Sequence, residues 1–205
     1  MSGTIQFYTN PMSRGQIARW ALHEAGADYD QHIIAYEDMK SPDYLAVNPM
    51  GKVPAIVHDG KIVTECAAIC AYLADVFPGS NLTPAADERA DYYRWMFYGA
   101  GPVEAAIINN SLGFHTDEEK SRMAGYGTYD QMVDVLDGML GERQYICGDR
   151  FTAADIYMGS QVIWGTQFKT LPERDNFTTY AARLSERDAY KAAKTIDMEL
   201  MPAQE

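Results

Sequence analysis

The stretch from Asn48 to Pro78, NPMGKVPAIVHDGKIVTECAAICAYLADVFP, leaves this chain few ways to fold. Ala55-Ile-Val-His58 and Lys61-Ile-Val-Thr64 are β-prone runs separated by Asp59-Gly60. That dipeptide is the strongest short hairpin signal, because glycine takes a positive φ at no steric cost. The two runs should therefore pair antiparallel. Thr64 stands where an N-cap is wanted, and Ala67, Ala68, Ala71, Leu73 and Ala74 favour a helix that stops at Phe77-Pro78-Gly79. A helix thus begins near Glu65.

Both joints of this unit carry backbone suited to a ligand. A cis bond at Val53-Pro54 would turn the Val53 N–H and C=O outward, free to pair with an extended ligand as an added strand would. The competing reading is an ordinary trans proline opening an edge strand. At the start of the helix, the N–H groups around Glu65 and Cys66 form a carboxylate site, or else a plain capped end.

Upstream, Thr4 to Tyr8 alternates as a strand, Thr9-Asn10-Pro11-Met12 breaks it, and Ser13 to Gly26 carries Ile17, Trp20, Ala21 and Leu22 at helical spacing. Gly26 reads as a C-cap, Tyr29 to Ile34 as a second strand, and Ser41 to Ala46 as a short helix. The order is βαβ-α-ββα. A crossover of this kind is parallel and right-handed, and the hairpin adds antiparallel strands at one side, which is the thioredoxin-like α/β arrangement. Ligands gather where strand ends meet helix N-termini, so Tyr8, Ser13, Val53 and Glu65 should share one surface. The expected domains are 1–78, a breaker-rich linker at 79–85, and 86–205. The last shows only helical periodicity, as in Tyr129, Met132, Val133, Leu136 and Leu140, and reads as an all-α domain of four to six helices.

Composition excludes several partners. The formal net charge is −12 and no Lys/Arg cluster exceeds isolated pairs, so the footprint of a nucleic-acid binder is missing. An acidic surface repels anionic membranes, and no run approaches the roughly 18 apolar residues of a span. Met1 leads directly into a strand-like run. The expectation is a cytoplasmic protein with no membrane and no nucleic-acid partner. Its three cysteines include no CxxC pair, which fits a reducing compartment. Cys66 and Cys70 are i,i+4 on one helix, but without clustered histidines they make no metal site.

Taken together, Asn48-Pro-x-Gly-Lys-Val-Pro54, the hairpin, and Glu65-Cys66 opening an Ala-rich helix resemble the glutathione-binding half of cytosolic glutathione transferases. Asn10-Pro-Met-Ser-Arg-Gly-x-x-x-Arg-Trp20 resembles the first loop and helix of the bacterial members, and Gly148-Asp-Arg-Phe-Thr152-Ala-Ala-Asp155 resembles the family's second signature. The resemblance implies glutathione as co-substrate, no permanently bound cofactor, and a homodimer. By the same resemblance Val53, before Pro54, pairs with the cysteinyl unit, Glu65 and Cys66 hold the γ-glutamyl group, and Lys52 reaches the glycine carboxylate. The family carries Ser or Thr where Cys66 stands, and a thiol is a weak donor, so the backbone N–H does most of the holding. Thr152 and Asp155 form a variant capping box with a folding role.

For the chemistry, Ser13 reads first as an N-cap. The resemblance gives it a second role, since serine-type members carry their hydroxyl in this loop. A thiol with a pKa of about 8.5 is mostly protonated at neutral pH, and lowering it by about 2 units takes roughly 2.7 kcal/mol. A hydroxyl donor at about 1.5–3 kcal/mol and a helix N-terminus at about 0.3–1 can supply that. Tyr8 is the alternative, since it falls where tyrosine-type members place their phenol; it also reads as a sheet-edge aromatic. Arg14 lies about where cysteine-type members have their thiol, and a cation there can assist a thiolate. The aromatic segment Tyr92 to Pro102 reads as mostly core, while the resemblance places Tyr98, Pro102 and Val103, with Met12 and Trp164, around an apolar co-substrate. The expected function is glutathione transfer to an apolar electrophile, with reduction of peroxides beside it. Two alternatives stand: a non-catalytic binding or dimerisation module, and a glutathione-dependent disulfide reductase, for which the family uses a first-loop cysteine that this chain lacks.

Overall fold

The computed structural model describes residues 4–117 and 119–201, so the outermost residues of both expected domains lie outside the described part. The chain forms two compact units. One consists of the described residues up to Thr83 and those from Glu186 onward, the other of Pro84–Ser185.

In the first unit β1 (Ile5–Thr9), α1 (Gly15–Ala25) and β2 (Tyr29–Ile33) make the expected crossover, with β1 and β2 parallel. After α2 (Pro42–Leu45), β3 (Ala55–His58) pairs antiparallel with β1 and with β4 (Lys61–Thr64), giving the strand order β2-β1-β3-β4. Asp59 and Gly60 both have positive φ, 49° and 72°, as a two-residue turn matching the strand twist requires. α3 (Cys66–Val76) follows. Thr64 is not its N-cap: it closes β4, and Glu65 takes the cap position at φ 65°. The hairpin pairs Thr64 with Ala55, which keeps it extended and moves the turn into the helix one residue later.

Alternation along β1 decides which side chains face the helices. Ile5, Phe7 and Thr9 are buried on the face under α1, where the Arg19 guanidinium lies 5.2 Å from the Phe7 ring centre. Gln6 and Tyr8 point the other way. Ile17, Trp20, Leu22, Ile56, Ile69 and Leu73 complete the core of this unit, each worth about 1.5–3 kcal/mol of transfer from water.

The second unit is helical: α4 (Arg89–Tyr98), a π-helical segment Gly99–Val103, α5 (Glu104–Ser111), α6 (Tyr129–Gly141), α7 (Ala153–Gln167) and α8 (Asp175–Ser185). Pro102 inside the run removes a backbone donor, which accounts for the widened turn there. Twelve of the 15 residues of α7 are buried, so it has no solvent face, and its start needs internal capping. Asp155 provides it: its carboxylate accepts from the N–H groups of Thr152 (2.8 Å) and Ile146 (2.7 Å) and from the Tyr180 hydroxyl (2.8 Å). Burial pushes the Asp155 carboxyl up to about 6 against the pull of these donors. The segment 92–102 is less of a core than its aromatic content suggests. Tyr92, Trp95 and Met96 are buried, whereas Tyr93 and Phe97 are 53% and 70% exposed on the opposite face of α4.

The last helix, α9 (Asp188–Leu200), departs from the expected division of the chain, because it packs in the first unit on α1 rather than with the helical unit. The reason is a set of specific partners. Arg19 Nε donates to Asp197 at 2.9 Å with both side chains wholly buried, Arg187 is bidentate to Glu24, and Trp20 meets Tyr190 edge-on at 5.0 Å. Removing one partner of a buried pair such as Arg19 and Asp197 costs about 3–5 kcal/mol, since the other charge is left in the interior.

Candidate functional site

The loop from Asn10 to Arg14, between β1 and α1, has a donor on every carbonyl. Asn10 O accepts from the Ser13 N–H (3.1 Å) and hydroxyl (2.7 Å), Pro11 O from Gln16 Nε2 (2.5 Å), and Met12 O from the Tyr36 hydroxyl (2.9 Å). Ser13 O accepts from the Gln16 N–H (3.2 Å), and Arg14 O from the Ile17 N–H (3.0 Å) and the Cys66 thiol (3.5 Å). Asn10 holds the loop from inside as well, its amide donating to Ile34 O and its Oδ1 accepting from the Met12 N–H. Such a loop presents its remaining groups in one fixed arrangement.

Ser13 is half-buried one residue before the helix cap, which is Arg14 rather than Ser13. Its Oγ still serves the helix start by accepting from the Gly15 N–H at 3.0 Å. Gly15 is fixed by contact, because a Cβ there would lie 1.9 Å from Thr9 Oγ1. Arg14 is exposed at the helix N-terminus.

Tyr8 is placed differently. Its ring stacks on His32 of β2 at 4.7 Å and tilts against Tyr44 at 5.9 Å, on the sheet face away from α1. Strand alternation puts Tyr8 on the opposite sheet face from Phe7 and Thr9, which hold the α1 side.

The segment before β3 is pinned by its own set of donors. The Val53-Pro54 bond is cis. Lys52 O accepts from the Tyr44 hydroxyl (2.6 Å) and the Asn48 amide (2.7 Å), and burial pushes the Tyr44 phenol up to about 12, so it stays a donor. Among the described residues, neither the N–H nor the C=O of Val53 has a hydrogen-bond partner. Lys52 is exposed, and a second ammonium reaches this loop from before α2, because Lys40 Nζ donates to Met50 O at 2.6 Å. No spacing rule connects Lys40 with Lys52, so it was not legible in advance.

At the start of α3, Glu65 is exposed and its φ of 65° and ψ of 120° are uncommon for a residue with a side chain. Cys66 follows, nearly buried, its thiol turned to Arg14 O. This contact brings the N-terminal turns of α1 and α3 together, an arrangement invisible in the sequence. Cys70, one turn on, is fully buried, and burial raises its thiol well above its ordinary value. Among the described residues no group of three or more His, Cys, Asp or Glu side chains is arranged to hold a metal ion, and no helix is long and apolar enough to cross a membrane.

The residues expected around a co-substrate fare unevenly. Met12 is 52% exposed in the first unit. In the second unit Pro102 and Trp164 are half-buried, and Tyr98 donates its hydroxyl to Met132 O at 3.1 Å. Val103 is a correction: it is wholly buried and offers no surface to a ligand, because its position in the π segment turns it into the helical core.

Comparison with known proteins agrees with this geometry. The family model for the glutathione S-transferase N-terminal domain matches residues 12–76, and the model for the glutathione S-transferase C-terminal domain matches residues 93–188. Glutathione S-transferase GstA of Escherichia coli O157:H7 is 29% identical over 192 residues, covering 89% of this chain and 94% of that protein. Protein LigF of Sphingobium is 42% identical over 175 residues, covering 66% of this chain and 68% of that one. A sphingomonad glutathione S-transferase solved in complex with glutathione superimposes with a TM-score of 0.77 at 27% identity, over 94% of this chain and 98% of that chain. With domain models matched in both halves of the chain and a 42% identical relative of which it covers 68%, the chain belongs to the glutathione S-transferase family.

Proposed function

We propose that this chain is a glutathione transferase that binds glutathione across the α1 and α3 N-termini and adds it to an apolar electrophile. The observation that carries the reading is the contact between the Cys66 thiol and Arg14 O, which joins two helix N-termini, with the unpaired Val53 backbone two residues before Ala55, the register partner of Thr64. An extended tripeptide can pair with Val53 as an added strand, and a carboxylate can sit on the α3 N-terminus next to Glu65. Glu65 then takes the γ-glutamyl ammonium and Lys52 the glycine carboxylate. Cys66 differs from the usual Ser or Thr in that its proton already serves Arg14 O, so its part in holding the ligand falls to its backbone N–H.

The chemistry rests on a thiolate held by the Ser13 hydroxyl and the α1 N-terminus. Its sulfur attacks the electrophilic carbon, the new C–S bond replaces the bond to the leaving group, and that group departs with the electron pair. The same thiolate attacks the distal oxygen of a hydroperoxide: the O–O bond breaks, the alcohol leaves, the sulfur is oxidised to a sulfenic acid, and a second glutathione condenses with it to give the disulfide and water.

Calorimetry tests the site. Glu65→Ala should weaken glutathione binding by about 1.5–3 kcal/mol, roughly ten- to 150-fold, as for a hydrogen bond to a charged group. Unchanged affinity rejects it. A panel of aryl halides, hydroperoxides and small disulfides then identifies the acceptor, and binding without turnover on any of them returns the chain to a non-catalytic module. We also read the chain as a homodimer, for which the exposed Tyr93 and Phe97 on α4 offer an apolar face. Light scattering at micromolar concentration that gives only the 22.9 kDa monomer mass ends that reading.

A further inference from the structure

Gln16 is placed to do more than occupy the first turn of α1. Its side-chain amide is used at both ends: Nε2 donates to Pro11 O at 2.5 Å, and Oε1 accepts from Lys194 Nζ of α9 at 3.0 Å. A lysine ammonium only donates and a carbonyl only accepts, so a single orientation of the amide satisfies both partners. Lys194 is in turn held on a fixed helix, because Arg187, Tyr190 and Asp197 anchor α9 to α1 on either side of it. The Tyr36 hydroxyl on Met12 O and the Cys66 thiol on Arg14 O connect the loop to the same sheet-and-helix layer. Gln16 ties the loop to the C-terminal helix instead.

We propose that Gln16 is a positioning residue for the loop that carries Ser13, held in register by Lys194, so that α9 sets where the thiolate donor stands. This rests on the transferase reading above. Pro11 lies two residues before Ser13, and the Ser13 hydroxyl is oriented by Asn10 O on the other side of Pro11. Release of Pro11 O therefore loosens the peptide next to the one that aims the hydroxyl, and an aim lost at the sulfur is read as a higher thiol pKa.

Three variants of the full chain separate the links. Gln16→Glu keeps an acceptor for Lys194 but has no donor for Pro11 O, Gln16→Met removes both links, and Lys194→Met leaves only the link to Pro11. Each is examined by ultraviolet titration of the thiolate with glutathione bound, by kcat and KM for glutathione with an aryl halide, and by thermal unfolding. Both Gln16 variants should raise the titration midpoint by roughly half a unit to one unit and lower kcat below neutral pH roughly threefold to tenfold, with KM and Tm close to wild type. Lys194→Met should shift the midpoint the same way by less. Wild-type midpoints in both Gln16 variants, or a lowered Tm with no movement of the midpoint, overturn the proposal while glutathione binding by the wild type upholds the function. A wild-type chain that binds no glutathione overturns both.

Discussion

Removing the Ser13 hydroxyl is the sharpest test of how this site would activate a thiol. Ser13 Oγ donates to Asn10 O at 2.7 Å and accepts from the Gly15 N–H at 3.0 Å, so its proton already has a partner. To donate to a thiolate it must turn away from that carbonyl. The neutral bond given up is worth about 0.5–1.5 kcal/mol and the bond to a charged acceptor about 1.5–3, which leaves a net preference of about 1–1.5 kcal/mol for the thiolate. At 1.36 kcal/mol per unit this is about one pKa unit. Ser13→Ala should therefore raise the midpoint of the bound thiol by about one unit and, below that midpoint, lower turnover about tenfold. The same substitution removes an acceptor from the Gly15 N–H, at about 1 kcal/mol of stability, or a Tm about 2–4 °C lower. The assay is thiolate absorbance of the glutathione complex titrated against pH, with Tyr8→Phe beside it. Tyr8 stacks on His32 across the sheet from α1, so its loss should leave the midpoint in place. A shift with Tyr8→Phe and none with Ser13→Ala would refute the reasoning, and no shift in either would pass the role to Arg14 or the backbone donors.

Two further outcomes follow from contacts around and beyond the site. Gly15→Ala should destabilise by about 1–3 kcal/mol in denaturant unfolding, because its Cβ would overlap Thr9 Oγ1, and Thr9→Ala in the same chain should restore most of the loss; no rescue would mean that the helix start gives way instead. Asp155 titrates at about 6 in the folded chain against an ordinary 3.8, so the native state holds this proton more tightly than the unfolded one. Its contribution is then unfavourable above pH 6 and is relieved as the pH falls, and stability should drop by up to about 3 kcal/mol between about pH 4 and 7 through this group. Asp155→Asn should flatten that part of the pH profile, and an unchanged slope would show that Asp155 titrates normally.

Much of the first unit is legible because its signals are local. Asp59-Gly60 enforces its turn through backbone sterics alone, Gly26 ends α1 in the left-handed region, and Ser41 caps α2 by accepting from the Tyr44 N–H. The capping pair of Thr152 and Asp155 is equally local, three residues apart. What local signals cannot reach is the destination of α9. Its sequence reads as one more amphipathic helix, and only the match of Asp197, Tyr190 and Arg187 to Arg19, Trp20 and Glu24, more than 160 residues away, draws it onto α1.

The candidate site divides along the same line. Val53, Glu65 and Ser13 stand at element boundaries, where backbone groups lose their regular partners, and boundaries are what periodicity and breakers report. The orientation of Tyr8 is also present in the sequence: with period two, a strand that buries Phe7 and Thr9 against α1 turns Tyr8 to the other face. Cys66 is the opposite case. As a residue type it reads as a weakened ligand contact, yet its thiol bonds to Arg14 O across 52 residues of chain. A hydroxyl has a shorter bond to its Cβ than a thiol, so a serine at this position would reach less far toward that carbonyl. Cys66 thus links the two helix N-termini through its side chain, a contact that only the folded geometry makes visible.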